Sequence, residues 1–159
     1  MTQGLSTKLI YVKMLDMDES FEDQPLGYLL SRVANTLRAE VTLTVLDPLQ
    51  VAFPQYLCMR VLSKFPGHSN ADLARALNVS PQAMNMVLRG LEDRGLVTRP
   101  PSVSSGRSLP AQLTRAGIEL LERTDTGVRA ADRKLMANLT DDERHEFKRV
   151  LAALGSDPM

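Results

Sequence analysis

Residues 69–114 read SNADLARALNVSPQAMNMVLRGLEDRGLVTRPPSVSSGRSLPAQLT, and two helical patterns lie in its first half, each opened by a cap and closed by a stop. Ser69 precedes Asn70-Ala71-Asp72, a Ser-x-x-Asp arrangement that satisfies the free N–H groups of a new helix. Leu73, Ala74 and Leu77 follow at helical spacing, with Ala74 small where two helices cross closely. Asn78 leaves the helix in a left-handed conformation at little cost. Ser80 caps the next helix and Pro81 takes its first position, where a missing N–H costs nothing. Met84, Val87, Leu88 and Leu91 then form one apolar stripe, and Gly95 ends the helix.

After Gly95, Leu96-Val97-Thr98 and Ser108 to Leu113 are short extended runs around a tip rich in Pro, Ser and Gly, the pattern of a hairpin. Two capped helices followed by a hairpin predict a winged helix-turn-helix, an arrangement that places its second helix in the major groove of DNA. The face of that helix opposite the stripe carries Gln82, Ala83, Asn85, Met86 and Arg89. Gln and Asn bond adenine bidentately, Arg bonds guanine or a phosphate, and Ala or Met packs on a thymine methyl. The other reading of such a face is plain solvation; the caps, turn and wing around it favour base reading. Arg107 at the tip suits the narrow, electronegative minor groove. The expected DNA contacts therefore also take in the helix starts Ser69, Asn70, Ser80 and Pro81, and Arg99, Ser104 and Arg107 of the wing.

The order of helices, the phrases DLARALNVS and LEDRGLVTR, the wing, and LTRAG opening a long helix together resemble the MarR family of bacterial transcriptional regulators, over roughly residues 24 to 154. The sequence departs from the family pattern in two respects. Its wing usually carries Asp-x-Arg; Ser105-Gly106-Arg107 keeps the arginine without the aspartate that braces it. Its recognition face often carries Ser, Thr or Arg, where this chain has Gln82, Ala83, Asn85 and Met86, which implies an operator of its own.

The chain has 159 residues, 43% of them apolar, and zero net charge, consistent with one ordinary soluble domain. The zero hides an asymmetry. Residues 1–53 hold 4 Lys+Arg against 7 Asp+Glu, residues 54–114 hold 7 against 3, and residues 115–159 hold 8 against 9. The positive excess falls on the expected DNA-binding module, and binding is expected to be strongly salt-sensitive.

The flanks frame that module. Pro25 to Leu46 predicts a long helix with Leu26, Leu29, Leu30, Val33, Leu37 and Val41 on one face, ended by Pro48. Pro54 starts a further helix through Tyr56-Leu57-Cys58-Met59 to Leu62, closing at Pro66-Gly67. Thr114 caps a helix from Arg115 to about Asn138, with a bend allowed near Gly127. Thr140-Asp141-Asp142-Glu143 is a capping box launching a helix through Phe147, Val150, Leu151 and Leu154. The expected fold is mainly α with a small β-hairpin wing. It comprises an N-terminal extension (1–23), a first dimerisation helix and linker (24–53), the winged module (54–114) and C-terminal dimerisation helices (115–155). The flanking helices carry more apolar surface than one winged domain can bury. A homodimer joined through Leu26, Leu30, Val33, Phe147, Val150, Leu151 and Leu154 is therefore expected, reading an inverted-repeat operator in double-stranded DNA; the other reading is a compact monomer with a helical flap.

The resemblance also implies a small aromatic or lipophilic effector in the crevice between dimer helices and winged module, commonly relieving repression. The matching residues here are Val33, Leu37, Tyr56 and Met59, whose apolar character equally fits simple core packing. One Cys and two His provide neither an internal disulfide nor zinc spacing, and no cofactor or metal is expected. Cys58, within an apolar helical run, reads as an inert buried thiol. His68 and His145 have no catalytic company, and there is no glycine-rich phosphate loop, so an enzyme is not expected. Leu9 to Leu15 is too short to span a membrane and lacks a cleavage site, which points to the cytoplasm. The expected function is a dimeric regulator, most simply a repressor. The alternatives are a winged-helix assembly module without specific DNA binding, and the dimerising front end of an enzyme whose cofactor domain would lie elsewhere.

Overall fold

The computed structural model describes residues 23–99 and 110–155. By its contacts the chain divides into two compact units, residues 1–36 and 37–159. Described residues of the first unit belong mainly to helix α1, Leu26–Val41, whose residues from Leu37 onward fall in the second unit. Within the first unit Leu26, Tyr28, Leu30 and Val33 are all exposed, and Arg32 lies over the Tyr28 ring at 5.7 Å.

The α-helical part of this element is shorter than the sequence predicts. From Thr42 to Leu46 the chain widens into a π-helical turn, with Asp47 N–H donating to Thr42 C=O at 2.9 Å. The Thr44 hydroxyl donates to Glu40 C=O at 2.8 Å, taking the carbonyl an α-helical N–H would use. Pro48 offers no N–H to continue the ladder.

Helix α2 (Phe53–Lys64), α3 (Asn70–Ala76) and α4 (Pro81–Asp93) follow. Strands β1 (Val97–Thr98) and β2 (Gln112–Leu113) pair antiparallel, Val97 opposite Leu113 and Thr98 opposite Gln112. Long helix α5 (Arg115–Leu135) and terminal helix α6 (Asp141–Leu154) complete the second unit. The observed architecture is the mainly α, winged arrangement expected.

The core of this unit gathers Val41 and Leu46, Met59 and Leu62 of α2, Leu73 and Ala74 of α3, Met84, Leu88 and Leu91 of α4, and Leu121 of α5. Caps hold the ends. Ser69 accepts from Asp72 N–H while the Asp72 carboxylate accepts from Ser69 N–H and Oγ. Those hydrogen bonds from Ser69 keep the Asp72 carboxyl below its ordinary range. Thr140 and Glu143 form the same reciprocal pair at α6. Asn78 (φ +50°) and Gly95 (φ +66°) are left-handed as expected.

Helix α5 starts with no room for a side chain at Gly117: a Cβ there would sit 2.1 Å from the Leu96 carbonyl oxygen. Gly127, where the sequence allows a bend, has another use. The helix continues through it, and a Cβ would meet Val45 Cγ1 at 2.7 Å, so the glycine lets the π-helical turn pack against α5. The α-helix stops at Leu135, short of Asn138. Ala137 N–H turns back to Lys134 C=O at 3.3 Å, and the Arg144 guanidinium donates to the Met136 C=O at 3.0 Å.

Candidate nucleic-acid interface

Helix α4 is built so that one side is spent on the core and the other is left in water. Met84, Leu88 and Leu91 are buried, and Val87 packs against them. On the other side Gln82, Ala83, Met86 and Arg89 are exposed and Asn85 is half-buried. Met86 is 75% exposed, unusual for an apolar side chain on a helix with its own buried stripe. The Arg89 guanidinium has no ion pair among the described residues.

The flanking residues hold α4 in place. The Ser80 hydroxyl accepts from Ala83 N–H at 3.1 Å, and Pro81 opens the helix. Asn70 Nδ2 donates to Pro81 C=O at 3.0 Å, tying the start of α3 to the start of α4. Its buried Oδ1 has no partner among the described residues. Ser69 and Ser80 therefore use their hydroxyls as caps, Ser69 at α3 and Ser80 at α4. At the far end Arg94 donates to the Gln50 carbonyl at 2.6 Å and to the Leu49 carbonyl at 3.4 Å, anchoring the end of α4 to the loop after the π-helical turn. No spacing rule links residues 94 and 50, so the sequence holds no signal for this anchor.

The base of the wing is similarly braced. Arg99 Nε donates to Glu92 Oε1 at 2.7 Å, and its Nη2 bonds Glu92 Oε2, a bidentate pair. Glu92 thus orients Arg99, which the sequence reading assigned to DNA. The Thr114 hydroxyl donates to Gly95 C=O at 2.6 Å and accepts from Gly117 N–H at 3.1 Å. The wing residues Ser104 and Arg107, also expected at DNA, lie outside the described residues.

The residues expected to line an effector crevice have different surroundings. Tyr56 and Met59 are buried and Leu37 packs on the core; Val33, in the first unit, is 39% exposed. Tyr56 brings a polar hydroxyl into this core. Its hydroxyl donates to Asp125 Oδ1 at 2.9 Å, which also accepts from Arg60 Nη1 at 2.9 Å. Burial first, then the Asp125 carboxylate, pushes the Tyr56 hydroxyl up to about 12. Tyr56 and Asp125 are 69 positions apart, beyond any pattern in the sequence. The Cys58 thiol is buried, and that burial pushes it up to about 12, consistent with an unreactive thiol.

Of the residues expected at a dimer interface, Leu26, Leu30 and Val33 on α1 are exposed, as are Val150, Leu151 and Leu154 on α6, while Phe147 is half-buried. Among the described residues no cluster of His, Cys, Asp or Glu is arranged to hold a metal, and no helix is long and apolar enough to cross a membrane.

Known proteins match this arrangement. The sequence profile of the MarR family matches residues 53–109. The chain is 56% identical over 136 residues to the HTH-type transcriptional repressor Rv2887 of Mycobacterium tuberculosis, which takes in 86% of this chain and 97% of the relative. The crystal structure of the Mycobacterium tuberculosis MarR family protein Rv2887 in complex with DNA is similar at a TM-score of 0.75 and 51% identity, covering 84% of this chain and 100% of that one. Its complex with salicylic acid is similar at 0.71 and 56% identity, covering 84% and 98%. A capped helix pair, a braced wing and a whole-length relative lead to one conclusion: the chain belongs to the MarR family.

Proposed function

We propose that the protein is a homodimeric, sequence-specific DNA-binding repressor of transcription, released by a small aromatic or lipophilic effector, and that it is not an enzyme. The observation that carries this reading is α4, with its apolar stripe buried and Gln82, Ala83, Met86 and Arg89 turned to water beside Asn85. The name of the repressor Rv2887 and its structure with DNA support it. Gln82 and Asn85 read bases, Arg89 holds guanine or phosphate, and Arg107 of the wing contacts the minor groove. Ser69, Asn70, Ser80 and Pro81 set helix starts against the phosphate backbone, with Arg99 and Ser104 alongside them.

The exposed apolar residues of α1 and α6 support the dimer, which would present two recognition helices to an inverted repeat. The salicylic acid complex of Rv2887 supports an aromatic effector, for which Leu37, Tyr56, Met59 and Val33 are the assigned crevice residues. The protein acts in the cytoplasm, without a cofactor.

Selection from random duplexes tests this reading. An enriched inverted repeat bound with a steep salt slope is expected. No enrichment with any duplex would favour the assembly-module alternative. Arg107→Ala should weaken binding across sequences, whereas Gln82→Ala or Asn85→Ala should mainly relax base preference. Equal loss on specific and random DNA for all three changes would refute those roles.

A further inference from the structure

Helix α4 ends on Arg94, whose guanidinium reaches the loop between the π-helical turn and α2. There Nη1 donates to Gln50 C=O at 2.6 Å and Nη2 to Leu49 C=O at 3.4 Å. No carboxylate pairs with Arg94 among the described residues. Gln50, which takes the shorter bond, is left-handed at φ +53°, a conformation that strains a residue with a side chain and persists where the surroundings hold it. Gln50 N–H donates to Asp47 C=O at 3.0 Å and Val51 N–H to Leu46 C=O at 2.9 Å, so the strained residue is held on both sides.

A second hold on the same loop comes from α2. Gln55 Oε1 accepts from Ala52 N–H at 3.0 Å, and its Nε2 lies 3.0 Å from where a Cβ on Gly90 would stand. Gly90 thus lets the Gln55 amide lie against α4, about one turn before Arg94. The apolar stripe of α4 fixes how deeply the helix sits, but apolar contacts are not directional. Polar contacts at the two ends therefore set its direction, Asn70 to the Pro81 carbonyl at one end and Arg94 to the loop at the other.

The loop is fixed in turn to α5. Val45 and Leu46 of the π-helical turn are buried, and Val45 fills the space beside Gly127. The direction of α4 relative to α5 therefore runs through one short series: Gly127, Val45, the loop 47–52 and Arg94. Helix α5 leads into α6, whose exposed apolar residues are assigned to the dimer, so the series joins the recognition helix to the surface that would set its distance from a second copy.

We propose that Arg94 is a positioning residue: by bridging the Leu49 and Gln50 carbonyls it fixes the direction of α4, and with it the spacing at which a dimer reads two half-sites. Only the second half rests on the repressor reading. A bridge needs the planar fork of arginine, whereas an ammonium keeps the charge as a compact point donor; a phosphate contact could be made by either cation. The test therefore compares Arg94→Lys and Arg94→Gln in the full-length protein. Both change an exposed side chain and should stay folded by far-UV circular dichroism. Residual dipolar couplings of the backbone amides report helix directions without DNA. Those of α4 should change in both variants, while α2 and α5, tied by Tyr56 and Asp125, keep a common frame. Affinity for the operator selected from random duplexes should fall about tenfold in both variants. The preference for the selected half-site spacing over spacings one base pair longer or shorter should shrink in both. Wild-type affinity in Arg94→Lys beside weak binding in Arg94→Gln would make Arg94 a phosphate contact and overturn the proposal, as would α4 couplings unchanged in both variants. Changed couplings with the spacing preference intact overturn the link to the dimer. A wild-type protein that enriches no duplex counts against the repressor reading instead, and the couplings then decide the first half alone.

Discussion

Helices α4 and α6 start alike and then turn opposite faces to water. Each opens on a hydroxyl that accepts from the third residue along, Ser80 to Ala83 N–H and Thr140 to Glu143 N–H, and each is amphipathic. Helix α4 packs its apolar face within its own chain, with Met84, Leu88 and Leu91 buried, leaving Gln82, Met86 and Arg89 outside. Helix α6 buries no residue; Val150 and Leu151 are exposed and Leu154 is 67% exposed. A helix that has satisfied its apolar stripe shows its polar face as the surface available for recognition. A helix that shows its apolar stripe still needs a partner of like chemistry, and a two-fold dimer supplies one from the same sequence.

That contrast breaks most sharply at Leu88 and Leu151. Leu88→Ala removes a fully buried side chain and should lower unfolding free energy by about 3–5 kcal/mol, read by chemical denaturation. Leu151→Asp should leave each chain folded and weaken the dimer by about 3 kcal/mol, roughly a hundredfold in dissociation constant. Sedimentation and far-UV circular dichroism together separate the two outcomes. A Leu151→Asp protein that unfolds would place α6 in the core of its own chain, and one that stays dimeric would remove α6 from the interface.

The recognition face should respond more mildly. Gln82→Ala and Asn85→Ala are each expected to lose about 1–3 kcal/mol of discrimination at one base pair, with fold stability unchanged because neither side chain belongs to the core cluster. Competition binding to operators varied at single positions measures this. Loss spread evenly over all positions would make these residues phosphate contacts.

Helix ends were readable in the sequence because their chemistry is local. Ser69 and Asp72 are three residues apart, as are Thr140 and Glu143, and Asn78 and Gly95 announce their own left-handed backbone. The polar face of α4 was readable for the same reason, as the complement of a helical stripe. The links between distant elements were not. Gly127 reads as a weak point in a helix until Val45 is seen filling the space beside it. Arg94 reads as a surface cation until the carbonyls of Leu49 and Gln50 are seen to accept from it. Arg99 gives no sign of a side-chain partner until Glu92 is seen accepting from two nitrogens of its guanidinium. In each case the partner is chosen by tertiary packing, which no local spacing encodes. The π-helical turn belongs here too, since Pro48 marks the end of the helix without saying that the helix widens before it.

The smallest expected effect lies on the buried side of the comparison, at Tyr56. Its hydroxyl is held up to about 12 in the folded protein against an ordinary 10.0, so the folded state binds this proton more tightly than the unfolded chain does. The resulting stability is complete below about pH 10 and is lost as pH rises from there towards 12. Tyr56→Phe keeps the ring in the core and leaves Asp125 paired with Arg60, so at neutral pH it should cost only about 1 kcal/mol, one net hydrogen bond. It should also remove the part of the alkaline destabilisation that belongs to the phenol. Cys58 supplies a second part, beginning lower, because its thiol is raised to about 12 from 9.0. Denaturation at stepped pH from 8 upward, on Tyr56→Phe, Cys58→Ala and the double variant, separates the two. If Tyr56→Phe loses stability with rising pH as steeply as the wild-type protein, the phenol is not held by Asp125 in solution. The bond between α2 and α5 would then be an ordinary packing contact rather than a polar lock.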